Sequence, residues 1–271
     1  MARMKYCLQL LPLSLALSLG LAATASLPIS VRAQSQETAL SQSIAGNWNA
    51  FNPPNRGLPG EGRQEGGGVR GGNCPNIQNK LIPLVPATNM GLTISERPTL
   101  YWYVPETAGA DTAAPEMEFV LQDEDGKEVY NSGKLPAVER AGIVSYTMPA
   151  KAGKSLEVGK NYQWFFSIIC NPEDRSGDVR VQGWIKRVEK SNILAQKLEA
   201  VSENERPFIY AKESLWFDTL SSLAQLQMQN SGDEFLSNKW EELLNSVSLG
   251  NLAKAPFVNL KQSSGSTSSN L

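Results

Sequence analysis

The sequence predicts a mainly β protein, a β-sandwich followed by a small α-helical C-terminal region. Three observations carry that expectation. Residues 81–188 alternate apolar and polar side chains between turn signals at short, regular intervals. At about Glu189 the period changes from 2 to 3.6. Between these, residues 156–170, LEVGKNYQWFFSIIC, join a turn to a long aromatic and β-branched run that reads as a central strand. Successive side chains leave a strand on opposite sides, so Tyr162, Trp164, Phe166, Ile168 and Cys170 form the core face and Gln163, Phe165, Ser167 and Ile169 the other.

Taken in order, residues 1–33 have the three parts of a secretory signal: basic Arg3 and Lys5, an apolar run from Tyr6 to Leu21, then small residues. Cleavage is expected after Ala25 or Ala33, and the second site is preferred because Gln34 and Ser35 follow it without structural signal. The run is shorter than the about 20 residues that span a bilayer, so the processed chain is expected to be exported, periplasmic or extracellular, and not membrane-spanning. Cys7 lies too early in the run for a lipidated cysteine.

Removing these residues takes away three bases and no acid, which moves the net charge from −2 to −5 and argues against nucleic acid as a partner. Two cysteines remain, Cys74 and Cys170, and in an exported protein they are expected to form a disulfide. Closing so long a loop is worth roughly 4 to 5 kcal/mol in the chain-entropy model, as an upper figure. The chain has no histidine. Ser-His-Asp and Cys-His catalysis, His-ligated zinc and imidazole proton transfer are thereby excluded, leaving carboxylate pairs and Ser/Lys chemistry.

Residues 34–79 read as a flexible leader rich in Gly, Pro, Asn and Gln. Its GEGRQEGGGVRGG run lacks the flanking strand, helix and Gly-Lys-Ser/Thr ending of a phosphate loop. Within the sandwich, residues 80–188, strands are expected at 81–85, 99–104, 117–122, 128–131, 143–148, 156–170 and 179–188. Leu100, Trp102 and Val104 should point inward, with Tyr101 and Tyr103 outward; Asp125-Gly126 marks a hairpin. In the last strand Val181, Gly183 and Ile185 oppose Arg180, Gln182, Trp184 and Lys186.

The helical region, residues 189–250, is read as helices over about 190–202, 207–229 and one opening at the capping box Ser231-Gly232-Asp233-Glu234. In the last, Leu236, Trp240, Leu243, Leu244 and Val247 make a clean apolar face, so a helical hairpin is expected to seek a partner surface. Residues 251–271 read as a disordered tail.

Few residues point to chemistry. Phe165, Ile169 and Trp184 are expected side by side on one outer face, where the helical hairpin should dock; exposed instead, they or Tyr101 and Tyr103 would form an interaction or sugar-stacking surface. Asp123, Glu124 and Asp125 read as a solvated turn rather than a calcium site. Glu173, Asp174 and Asp178 supply carboxylates, but on a hairpin loop that seldom builds a glycosidase cleft. Glu213 and Asp218 are expected to face solvent. No catalytic residue, cofactor or metal is expected.

Two local patterns resemble fibronectin type III and related immunoglobulin-like domains. Pro98-Thr99-Leu100-Tyr101-Trp102 resembles their early strand with the core tryptophan, and Leu156-x-x-Gly159-x-x-Tyr162-x-Trp164 resembles the turn and tyrosine corner entering their penultimate strand. Over most of the mature chain, Arg70-Gly71-Gly72-Asn73-Cys74, the strand from Pro98, the run from Gly159 to Cys170, Trp216-Phe217-Asp218-Thr219-Leu220 and Trp240-Glu241-Glu242-Leu243-Leu244 resemble a cyanobacterial exported family catalogued only as a domain of unknown function (number 928). That resemblance implies a secreted or periplasmic sandwich with a helical tail and transfers no activity. The expected function is therefore an exported, non-enzymatic interaction module for an envelope or periplasmic protein. The alternative is a carbohydrate or cell-wall glycan binding module using exposed aromatics.

Overall fold

The computed structural model describes residues 67–68, 81–106, 115–136, 138 and 140–260. The expected signal peptide, most of the leader, and Cys74 lie outside them. Among the described residues nine strands form two sheets. The larger has the order β1 (Gly67–Gly68), β9 (Val179–Arg187), β8 (Asn161–Ile169), β5 (Glu116–Asp123), β6 (Glu128–Leu135), with β3 (Met90–Thr93) running parallel to β9. The smaller has the order β2 (Ile82–Pro83), β4 (Thr99–Val104), β7 (Gly142–Thr147), all antiparallel.

The alternation read from β8 positions the core. Trp102 of the smaller sheet stacks on Phe166 of the larger at 4.2 Å and meets Trp164 edge to face at 5.7 Å. Gly183 of β9 leaves the room that Trp164 fills, since a Cβ there would stand 2.3 Å from the Trp164 ring. At the entry to β8 the Tyr162 hydroxyl accepts the N–H of Glu157 at 3.0 Å, and Gly159 takes the left-handed turn conformation at φ +86°. The chain is thus held to its corner by a side chain from the strand it enters.

Strand β3 has no counterpart in the sequence reading. Its four residues include Gly91 and give no alternation to detect, yet Phe217 needs that glycine: a Cβ would lie 2.5 Å from its ring. The leader also departs from expectation, because Gly67–Gly68 pairs with β9. Glycine-rich composition hides an edge strand whose pairing uses backbone groups alone.

Four helices follow: α1 (Asn192–Glu199), α2 (Arg206–Lys212), α3 (Trp216–Gln229) and α4 (Glu234–Ser246). Ser191 caps α1 and Asp233 caps α4, each side chain accepting an N–H of the first turn. The helix expected over 207–229 is broken in two, since Ser214 adopts φ 57° and the Leu215 N–H returns to the Tyr210 carbonyl. The break lets Trp216 and Phe217 turn toward the sheets. Trp216 Nε1 donates to the Leu84 carbonyl at 2.9 Å.

The helical layer docks on a different face from the one expected. It lies against β3 and over Tyr101 on the outer side of β4, where the Tyr101 hydroxyl bonds Ser221 and burial pushes its pKa up. Sandwich residues share one continuous core with α2, α3 and α4, and Leu194, Leu198 and Leu215 form a small second cluster beside it. With the short 3₁₀ turns counted, helical residues equal strand residues in number among those described, so strand does not predominate there. The expected tail is packed as far as residue 260: Ile143 of β7 donates to the Pro256 carbonyl, Val258 donates back to Ile143, and Phe257 meets Trp240 at 5.3 Å.

Asp218, expected in solvent, is turned inward from the first turn of α3. It keeps an edge at a cleft of about 180 Å³, but its Oδ2 accepts the Ile94 N–H at 3.1 Å and it is bonded also by Thr93. The helix is broken just before it, which aims this carboxylate at the loop after β3. Burial dominates and pushes the carboxyl up to about 6, against the lowering effect of those hydrogen bonds. A folded pKa above the unfolded one means that the folded state binds more protons between about pH 4 and 6. Its stabilising contribution is therefore full below that window and lost as pH rises through it. We expect Asp218→Asn, which keeps the acceptor and removes the charge, to gain on the wild type by at most about 3 kcal/mol between pH 4 and 7 in urea unfolding. Parallel stability curves for the two proteins would show that Asp218 does not titrate in this range.

Candidate binding face

The outer side of the larger sheet is built by strand pairing into rows that cross the strands. Asn131, Val120, Phe165 and Gln182 form one line, each paired with the next. Lys134, Glu118, Ser167 and Arg180 form a second; Glu128, Gln122, Gln163 and Trp184 form a third. Bulges between β5 and β6 keep the β6 members in these rows. Members of all three rows, with the turn Arg175–Gly177, bound a groove of about 680 Å³, a volume in the range of ligand sites. Among the described residues that line it, none comes from α1–α4.

The centre of the groove is Phe165. The Arg180 guanidinium lies 3.8 Å from its ring centre, and the side chain beneath is only 6% exposed. This contact explains why an aromatic tolerates an outer sheet face: the cation covers the ring while its own edge stays wet. Arg175 is held differently, with Nη2 on Glu118 at 3.0 Å and Nε on Asp178. Asp178 also accepts the Cys170 N–H at 3.1 Å.

Of the surface aromatics expected to bind, Tyr101 is 3% exposed beneath α3, and Ile169 is 3% exposed at the end of β8. Both are lost as contact residues. Tyr103 and Trp184 are half-buried, and Trp184 stands in the third row between Gln163 of β8 and buried Met90 of β3. The residues missed are Gln122, Gln163, Gln182, Asn131, Glu118 and Arg180. Their signal was the polar half of the same alternation that revealed the core, since every second residue of β5, β8 and β9 falls on this face.

Four of the loop acids are occupied structurally. Asp174 accepts from the Ser176 hydroxyl and N–H, which hold its carboxyl below the ordinary range, while Asp178 serves Arg175 and Cys170. Asp123 accepts N–H groups of Asp125 and Lys127, and Glu124 accepts that of Asn161. No helix among the described residues is long and apolar enough to cross a membrane.

Fold and groove together define a two-sheet protein whose smaller sheet is covered by helices and whose larger sheet presents a polar face. The chain belongs to the family described as Domain of Unknown Function (DUF928), whose model matches residues 65–257. Comparison with curated proteins and with solved structures gives no match.

Asp178→Ala should destabilise the fold by about 1 to 3 kcal/mol, because it strands the Cys170 N–H and releases Arg175 together. Chemical denaturation measures this; a cost below about 0.5 kcal/mol would show that water replaces the carboxylate.

Proposed function

We propose that this chain is an exported, non-catalytic binding module, and that the outer face of the larger sheet is its binding surface. The observation that carries the reading is the division of labour among polar groups. The carboxylates of Asp174 and Asp178 serve the fold, whereas the Gln122 and Gln182 amides and the Arg180 guanidinium line a groove. Export rests on the N-terminal pattern of residues 1–33.

We further propose a fibronectin III- or immunoglobulin-like sandwich. Strands β2-β4-β7 facing β6-β5-β8-β9 follow the order that such domains use, and the Tyr162 hydroxyl on the Glu157 N–H is the bond of a tyrosine corner. The Cys74–Cys170 disulfide belongs to the same proposal. Gly68 is paired with Val179, which is paired with Ile168, so β1 brings the chain two strands from the end of β8 shortly before Cys74. Six extended residues reach roughly 20 Å, ample for the interstrand distance of about 10 Å.

Val120→Trp adds bulk on the outer face beside Phe165 without entering the core. Mature wild-type protein is expected to co-sediment with isolated cell envelopes, and this variant to remain in the supernatant with unchanged thermal unfolding. Envelope binding equal to wild type would remove the groove from the proposal. For the disulfide, thiol labelling of unfolded, unreduced mature protein should modify neither cysteine, and reduction should expose both. Labelling of both before reduction would refute the bridge.

A further inference from the structure

We propose that the ligand of this face is an extended glycan strand bearing carboxylates, laid across β6, β5, β8 and β9 with an acidic sugar against Arg180. The inference rests on the reading of the groove as a binding surface and adds the ligand's chemistry.

The amides come first. Gln122, Gln163 and Gln182 carry primary amides, each offering donors and an acceptor from one planar group, whereas the Asn131 amide accepts the Gly133 N–H at 2.8 Å and donates to Glu128 at 3.3 Å. Neighbouring hydroxyls on a sugar present the complementary pair, so one amide can engage two of them at once. Adjacent strands stand about 4.8 Å apart, close to the length of one sugar in an extended chain, so a row across four strands meets successive sugars in step. In the third row Trp184 adds a half-buried indole between Gln163 and Met90, and its free surface suits the C–H face of a sugar ring. A large apolar patch, which a protein partner would use as its anchor, is missing from the described part of this face: Phe165 is under a guanidinium, and Val120 is half-buried.

Charge then selects among glycans. Arg180 is exposed, lies on Phe165 and makes no ion pair with a described carboxylate; Glu118, which acts on it electrostatically, is held by Arg175 at 3.0 Å. A guanidinium fixed by stacking loses little freedom when it meets a planar carboxylate bidentately. The processed chain carries net charge −5, so indiscriminate adsorption to a polyanion is disfavoured and retention must come from a local site.

Affinity electrophoresis of the mature protein through gels containing polygalacturonate, alginate or neutral hydroxyethyl cellulose tests this. Retardation by an acidic polymer is expected, weakened at least about tenfold by Arg180→Gln and by the double variant Gln122→Ala, Gln182→Ala, and abolished by Val120→Trp. Retardation by the neutral polymer alone, or equal retardation of wild type and Arg180→Gln, overturns the assignment of the acidic sugar. If no polymer retards the wild type while Val120→Trp still loses envelope binding, the face serves a protein and the glycan proposal falls although the binding surface stands. Envelope binding untouched by Val120→Trp would instead remove both.

Discussion

Everything in this structure depends on three rings that meet between the sheets. Trp102 reaches from β4 to stack on Phe166 and to touch Trp164, so one side chain of the smaller sheet engages two of the larger. Aromatic contacts of this kind add to the area they bury because ring edges and faces carry opposite partial charge. They also set the register. A slip of one residue in β8 would turn Trp164 and Phe166 outward and present Phe165 and Ser167 to Trp102 instead. The polar rows on the outer face exist because the inner face is so strongly specified.

The two faces of the sandwich meet different demands. On the smaller sheet, Tyr101 and its neighbours are made into an interior by α3, which also seats Phe217 on Gly91 of β3 in the larger sheet and bonds Trp216 to the Leu84 carbonyl. On the larger sheet the surface is kept wet by long polar side chains, and the Phe165 ring lies under Arg180. The helical layer is joined at a polar point as well as an apolar one. Asp218 gives up hydration to accept the Ile94 N–H, a contact that fixes where the loop after β3 meets the helix.

The sandwich strands were legible because a half-buried sheet leaves a period of 2 in its sequence, and Trp102, Trp164 and Tyr162 stand where that period places them. What escaped detection lacks a period. Strand β3 is short and contains Gly91, β1 is two glycines, and the strap at 253–258 pairs through backbone atoms. The docking face of the helices was misjudged for another reason: Tyr101 and Phe165 read alike as outward aromatics, and only the placement of α3 decides which is covered by a helix and which by an arginine. Asp218 looked solvent-facing because a helical period was continued through Ser214, where the chain turns. The binding face was written in the sequence as the polar half of each alternating strand, but four separate segments supply it, and their adjacency is a property of strand order.

The strap has a further consequence. A three-stranded sheet has two margins, each a row of backbone groups able to template another strand. At the β7 margin, Ile143 spends its N–H on Pro256 and its carbonyl on Val258, and Gly142 permits the approach, since a Cβ there would stand 2.5 Å from the Pro256 carbonyl oxygen. At the other margin β2 is only two residues long and includes Pro83. The small sheet is therefore interrupted at both margins, by the strap at Ile143 on one side and by a two-residue, proline-bearing strand on the other.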